Sequence, residues 1–111
     1  MNVNDYQNEA LRTAQVGKCP DELLMEAALG LAGESGEVAD IVKKVMFQGH
    51  LLDDEHIAKE LGDVAWYLSL ATYAIGYKLE TILEMNVEKL RNRYPNGFES
   101  DRSVNREEGD I

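Results

Sequence analysis

Basic residues are scarce in this chain: 11 Lys and Arg stand against 21 Asp and Glu in 111 residues, a formal net charge of −10. A surface so biased repels phosphate backbones and anionic headgroups, which argues against duplex nucleic acid or a membrane as the main partner and favours cations. Cysteine is scarcer still. Cys19 stands alone, so no intrachain disulfide can form, no cysteine pair can build a zinc site, and a reducing, cytoplasmic setting is expected. No apolar run approaches the roughly 20 residues that span a bilayer, and the first residues, "MNVNDYQNEA", lack the basic start and apolar centre of a secretion signal.

Proline occurs twice, at Pro20 and Pro95, and both positions coincide with a change in helical periodicity. What lies between them reads as helix. A first helix is expected from Asn4, as N-cap, through "DYQNEALRTAQV", with Gly17 as its stop. Pro20 opens a second, running to about Gln48, where a missing N–H does no harm. Its apolar stripe is expected at Leu24, Ala28, Leu31, Ser35, Val38, Val42 and Val45. Asp53 or Asp54 caps a third helix with Ile57, Leu61, Val64, Leu68, Ala71 and Ile75 on one face, closed by Gly76. A fourth spans about Leu79 to Tyr94 and buries Leu79, Leu83, Val87, Leu90 and Tyr94. The expected fold is therefore all-α, an antiparallel four-helix, bundle-like protomer over residues 1–98. The polar segment 99–111, "ESDRSVNREEGDI" with Phe98 before it, is expected to be disordered unless a partner orders it.

Against this background the stretch "LGLAGESGEVADIVKK" stands out. Gly30, Gly33 and Gly36 each cost about 1 kcal/mol relative to alanine inside a helix, so they are expected to let another helix or a ligand come close. Among them lie Glu34 and Glu37, and on the third helix "ELGD" supplies Glu60 and Asp63. Each pair is spaced i, i+3, which puts both side chains on one helix face. In an antiparallel hairpin the numbers of facing residues share a constant sum. Glu34 with Asp63, and Glu37 with Glu60, meet that condition about a bend between Gln48 and Gly49, where the turn signal independently lies. The four acids then reach one level roughly 17 Å from the bend.

Four carboxylates beside apolar stripes repel one another unless a cation intervenes. All-oxygen donors select hard ions, Mg²⁺ or Mn²⁺, over zinc. A single E-x-x-E is ordinarily a solvated helix face; two in register make the metal site the better reading. A di-iron bundle would want Glu-x-x-His motifs, and the nearest string, "DDEH" at Asp53–His56, is better explained as a helix cap. His50 reads as a surface residue.

Basic residues near the end of the chain carry a second signal. Asn86, Lys89 and Arg93 recur at i, i+3, i+7 in "NVEKLRNRYPNGF". They either hold phosphate oxygens or complement the helix dipole. Lys44, two turns beyond Glu37, either reaches an anionic ligand or pairs with a neighbouring acid. Trp66 and Tyr67 follow the second acid pair and serve as core or as a base-stacking surface. No G-x-x-x-x-G-K-[ST] or G-x-G-x-x-G is present, so the glycines are not a phosphate loop of either kind.

Taken together, "GESGEVADIVKK", then 22 residues between Glu37 and Glu60, then "KELGDVAWYLSLA" and "EMNVEKLRNRYPNGF" resemble the MazG-like all-α nucleoside triphosphate pyrophosphohydrolases. The similarity, to the short single-domain members of bacteria and bacteriophages, runs from about Tyr6 into the polar segment. It implies Mg²⁺ held by Glu34, Glu37, Glu60 and Asp63, substrate phosphates on Asn86, Lys89 and Arg93, and cleavage of a (d)NTP to (d)NMP and pyrophosphate. It also implies a homodimer or homotetramer, for which the apolar run "WYLSLATYAIGY" gives a physical reason. Many members carry E-E-x-x-E, whereas Gly33 stands at the first of those positions here. A carboxylate is therefore missing, and Glu37 is the expected general base. Lys44 and Trp66 are further candidates for substrate contact. The alternatives are a non-catalytic module that binds nucleotide or Mg²⁺ and acts through a partner, and a purely structural bundle.

Overall fold

The first helix is set by a reciprocal cap at its entrance. Asn2 accepts the Asp5 N–H at 2.8 Å while the Asp5 carboxylate accepts the Asn2 N–H at 3.4 Å, a capping box that starts α1 (Val3–Leu11). The cap is thus Asn2 rather than Asn4: Gln7, three residues after Asn4, is bonded instead to Ser69 and Leu79. The helix also ends six residues before Gly17, in a run of turns after Leu11.

Three further helices begin and end close to their local signals: α2 (Pro20–Phe47), α3 (Asp54–Ala74) and α4 (Leu79–Arg93). Pro20 occupies the first turn of α2, and the Asp53 carboxylate accepts the His56 N–H at 3.1 Å to cap α3. A short fifth helix, α5 (Ser100–Val104), lies in the segment expected to be disordered. The chain is all-α. No β-strand forms, and Pro95 and Gly97 make only an isolated bridge. No helix is long and apolar enough to cross a membrane. The computed structural model describes residues 1–111 and separates into two compact units, Met1–Leu79 and Glu80–Ile111.

In the first unit α2 and α3 form an antiparallel hairpin that α1 packs against. Its core is Leu23, Ala27 and Leu70, flanked by Leu11, Ala14, Trp66, Tyr67, Ala71 and Ala74. This is not the expected stripe: Leu24 and Val42 on α2, Leu61 on α3 and Ile75 just after it are about half exposed. The α2 stretch Leu23–Ala32 is apolar nearly all round, so periodicity alone leaves its inward face unspecified. The buried line, one residue back, runs through Leu23, Ala27, Gly30 and Glu34.

Two polar side chains fasten α1 to this hairpin. Buried Gln7 donates to the Ser69 carbonyl at 3.2 Å and accepts the Leu79 N–H at 2.8 Å. It thereby satisfies an N-terminal amide of α4 that has no partner within its own helix. The Trp66 indole N–H reaches the Ala10 carbonyl at 3.0 Å and Thr13 Oγ1 at 2.9 Å. Apolar contact is non-directional; these bonds fix where α1 stops along the hairpin.

Of the three glycines, only Gly30 is needed for close approach. A Cβ there would overlap the Tyr67 ring, whereas Gly33 and Gly36 face open space. Gly30→Ala should therefore lose about 1–3 kcal/mol through overpacking. Gly33→Ala should gain about 0.5–1 kcal/mol from the lower backbone entropy of its unfolded chain and its better helix propensity. Urea denaturation of the two variants tests the contrast, and equal effects would contradict it.

Candidate functional site

Glu34 lies one turn beyond Gly30 on α2, and Asp63 one turn before Tyr67 on α3. Both pairs obey the same antiparallel register, so the contact that closes the hairpin also sets the acids face to face. One carboxylate oxygen from each of Glu34, Glu60 and Asp63 falls within 4.8 Å of the others. Glu34 and Glu60 are partly buried, and Asp63 is exposed.

Glu37 is exposed and stands outside this group of three. Residues at i and i+3 differ by about 60° around a helix, and α2 points Glu34, not Glu37, along its buried line. Glu37 is still near enough for its charge to act on Glu34. The Glu34 carboxyl is pushed above its usual range, first by desolvation, then by a hydrogen bond with Glu60 and by the charges of Asp63, Glu60 and Glu37. The His56 Nε2 lies 3.5 Å from Glu60, so this residue borders the acids as well as following the Asp53 cap.

A cleft of about 320 Å³ adjoins the acids, lined by Glu34, Asp63, Trp66 and Tyr67. Trp66 and Tyr67 meet edge to face, their centroids 4.9 Å apart. Tyr6 of α1 is a neighbour that sequence reasoning missed: burial and the charge of Asp63 raise its hydroxyl pKa. Finding it would have required the docking of α1 on α3, which no local motif encodes.

Of the basic candidates, Lys44 belongs to the first unit and the others to the second. Lys44 pairs with Asp40 at 2.7 Å, and Lys43 reaches the same acid at 3.1 Å. Hydrogen bonds from Lys44 and then Lys43 hold Asp40 below the usual carboxylate range, and the bond to Asp40 raises Lys44. In the second unit Asn86 and Lys89 are exposed on α4, and Arg93 is bound to Asp110 through two bonds of 2.7 Å.

A sequence model of the MazG nucleotide pyrophosphohydrolase domain matches residues 24–98, a span that contains all four acids and the basic positions of α4. The chain belongs to this family. It is also 34% identical over 105 residues to the Gene 37 protein of Mycobacterium phage L5, covering 87% of this chain and 92% of that protein. No solved structure matches it. A domain of this family acts with a divalent metal, and the donor set fits one: three carboxylates converge, and all the donors are oxygen.

The crowding of like charges has a measurable cost. A carboxyl whose pKa is raised on folding binds its proton more tightly folded than unfolded, so the metal-free fold loses stability as pH rises past the ordinary carboxylate range. Asp63→Asn relieves that repulsion. Its melting temperature in chelator at pH 7 should exceed the parent's, while the rise on adding Mg²⁺ or Mn²⁺ should be smaller than the parent's. A lower melting temperature in chelator together with an undiminished metal response would contradict the site.

Proposed function

We propose that the chain is a Mg²⁺-dependent nucleoside triphosphate pyrophosphohydrolase converting (d)NTP and water to (d)NMP and pyrophosphate. The observation that carries this reading is the convergence of Glu34, Glu60 and Asp63 within 4.8 Å in a domain of the MazG family. These three would hold the metal, with Glu37 completing the set. Bound Mg²⁺, or Mn²⁺ in its place, would polarise the phosphoryl group and lower the pKa of a water.

In this reading Glu37, exposed beside Glu34, accepts the proton as water attacks the α-phosphorus. A new P–O bond forms, the α–β anhydride bond breaks, and pyrophosphate leaves with its electron pair. Lys44, Asn86, Lys89 and Arg93 are assigned to the phosphates. Lys44 must then exchange Asp40 for substrate. Trp66, in the wall of the cleft beside the acids, is assigned to stacking on the base. Its indole N–H is already committed to Ala10 and Thr13 and part of the ring packs on the core, so stacking would fall to the part that lines the cleft. A reducing, cytoplasmic setting suits the exposed, lone Cys19.

Gly33 supports a second reading, in which the chain binds nucleotide or Mg²⁺ without turnover and acts through a partner. Product analysis separates the two. The parent, incubated with dNTPs and Mg²⁺, should release monophosphate and pyrophosphate, and Glu37→Gln and Asp63→Asn should each lower kcat by about 10²-fold or more. Nucleotide binding without pyrophosphate release would favour the binding module, and full activity in both variants would remove the site.

We also propose a homodimer or homotetramer. The uncovered apolar surface lies more on α2, where Met25 is 65% and Leu29 70% exposed, than on the α3 run expected to need a partner, of which Leu70 is buried. Light scattering should give a mass of two or four chains, and a single-chain mass would exclude this.

A further inference from the structure

Arg93, assigned above to substrate phosphate, is occupied by the chain itself. Its Nε and Nη2 donate to the two oxygens of Asp110, each at 2.7 Å, and the two side chains are only 10% and 17% exposed. This forked geometry is the one a guanidinium makes with a phosphate group. The backbone aims the carboxylate: after α5 the chain turns at Glu107–Asp110, the Asp110 N–H donating to the Glu107 carbonyl at 3.1 Å. Gly109 takes φ 85° in that turn, a conformation side-chain-bearing residues rarely adopt.

The surroundings favour an anion whatever its source. The hydrogen bond from Arg93, then the charges of Arg93, Arg106 and Lys89, hold the Asp110 carboxyl below its usual range. A cavity of about 370 Å³ adjoins the pair, giving a phosphate group room to approach; Lys89 and Arg102 stand in its wall together with Glu107 and Glu108, acids that belong to the segment a phosphate would displace.

We infer that the segment Glu107–Ile111 is a built-in competitor, whose Asp110 carboxylate takes the oxyanion position at Arg93 and must be displaced by a substrate phosphate before Arg93 can bind it. The inference rests on the reading of Arg93 as a phosphate ligand. Apparent affinity is then the intrinsic affinity scaled by the fraction of molecules in which Arg93 is free. Asp110→Asn keeps the shape of the side chain and removes its charge, so it raises that fraction.

The test uses the full chain, inorganic pyrophosphate with Mg²⁺ in titration calorimetry, and hydrogen exchange of the amides of 107–111. Asp110→Asn should bind pyrophosphate about 5-fold or more tightly than the parent, and that gain should vanish in an Arg93→Ala background. With dNTP, KM should fall at unchanged kcat. Saturating pyrophosphate should speed exchange at 107–111 in the parent. Unchanged or weaker binding by a normally folded Asp110→Asn would overturn the inference. If that variant melts early, exchange in the parent decides alone, and no increase overturns it. Should the double variant Arg93→Ala/Asp110→Asn bind pyrophosphate as tightly as Asp110→Asn alone, the phosphate role of Arg93 fails and the inference falls with it. If Arg93→Ala weakens binding while Asp110→Asn changes nothing, only the competitor falls.

Discussion

The Tyr67 ring packs where a Cβ on residue 30 would be, and the geometry of the candidate site depends on that contact. A helix pair is held in register by the few positions where one surface admits the other. Here that position lies one turn from the acids, between them and the apolar core of Leu23, Ala27 and Leu70. Hydrophobic burial at one end of the hairpin therefore holds together carboxylates that would otherwise drive its two helices apart. The conformational cost of one glycine secures a fixed separation between charged groups.

Helix ends were legible because their chemistry is local. Pro20 and Asp53 act within one turn of themselves, and α2 and α3 begin beside them. Even the misplaced first cap had its signal in the chain, since Asn2 and Asp5 have the spacing of a capping box; Asn4 and Gln7 share that spacing, and only the tertiary bonds of Gln7 decide between them. Helix faces were harder to read. With Leu23, Leu24, Met25, Ala27, Ala28 and Leu29 in succession, α2 offers apolar surface in every direction, and burial is decided by α3 and by the ring that needs Gly30. The order in residues 99–111 was invisible for a related reason: it comes from a pairing across 17 residues in a segment whose composition alone suggests none.

The candidate site was legible in its chemistry and less so in its geometry. The i, i+3 spacing and the hairpin register bring Glu34, Glu60 and Asp63 together. The same spacing turns Glu37 toward solvent, because a helix cannot point both members of such a pair straight at one partner. That asymmetry leaves Glu37 accessible at the edge of the three acids that converge. Tyr6 illustrates the limit of pattern reading, since its approach to Asp63 depends on how far α1 slides along α3.

That sliding is arrested by Gln7, and its two hydrogen bonds join residues 62 and 72 positions apart in the chain. The α2–α3 hairpin, by contrast, closes a loop of only a few residues. Chain entropy thus separates the assembly into a cheap local step and an expensive distant one. A buried amide rewards the distant step only when donor and acceptor are both met, so a partial docking of α1 earns little. In terms of cooperativity, the nine-residue α1 is a latch rather than a layer: it adds little apolar mass, yet it converts a helical hairpin into a unit with one defined arrangement.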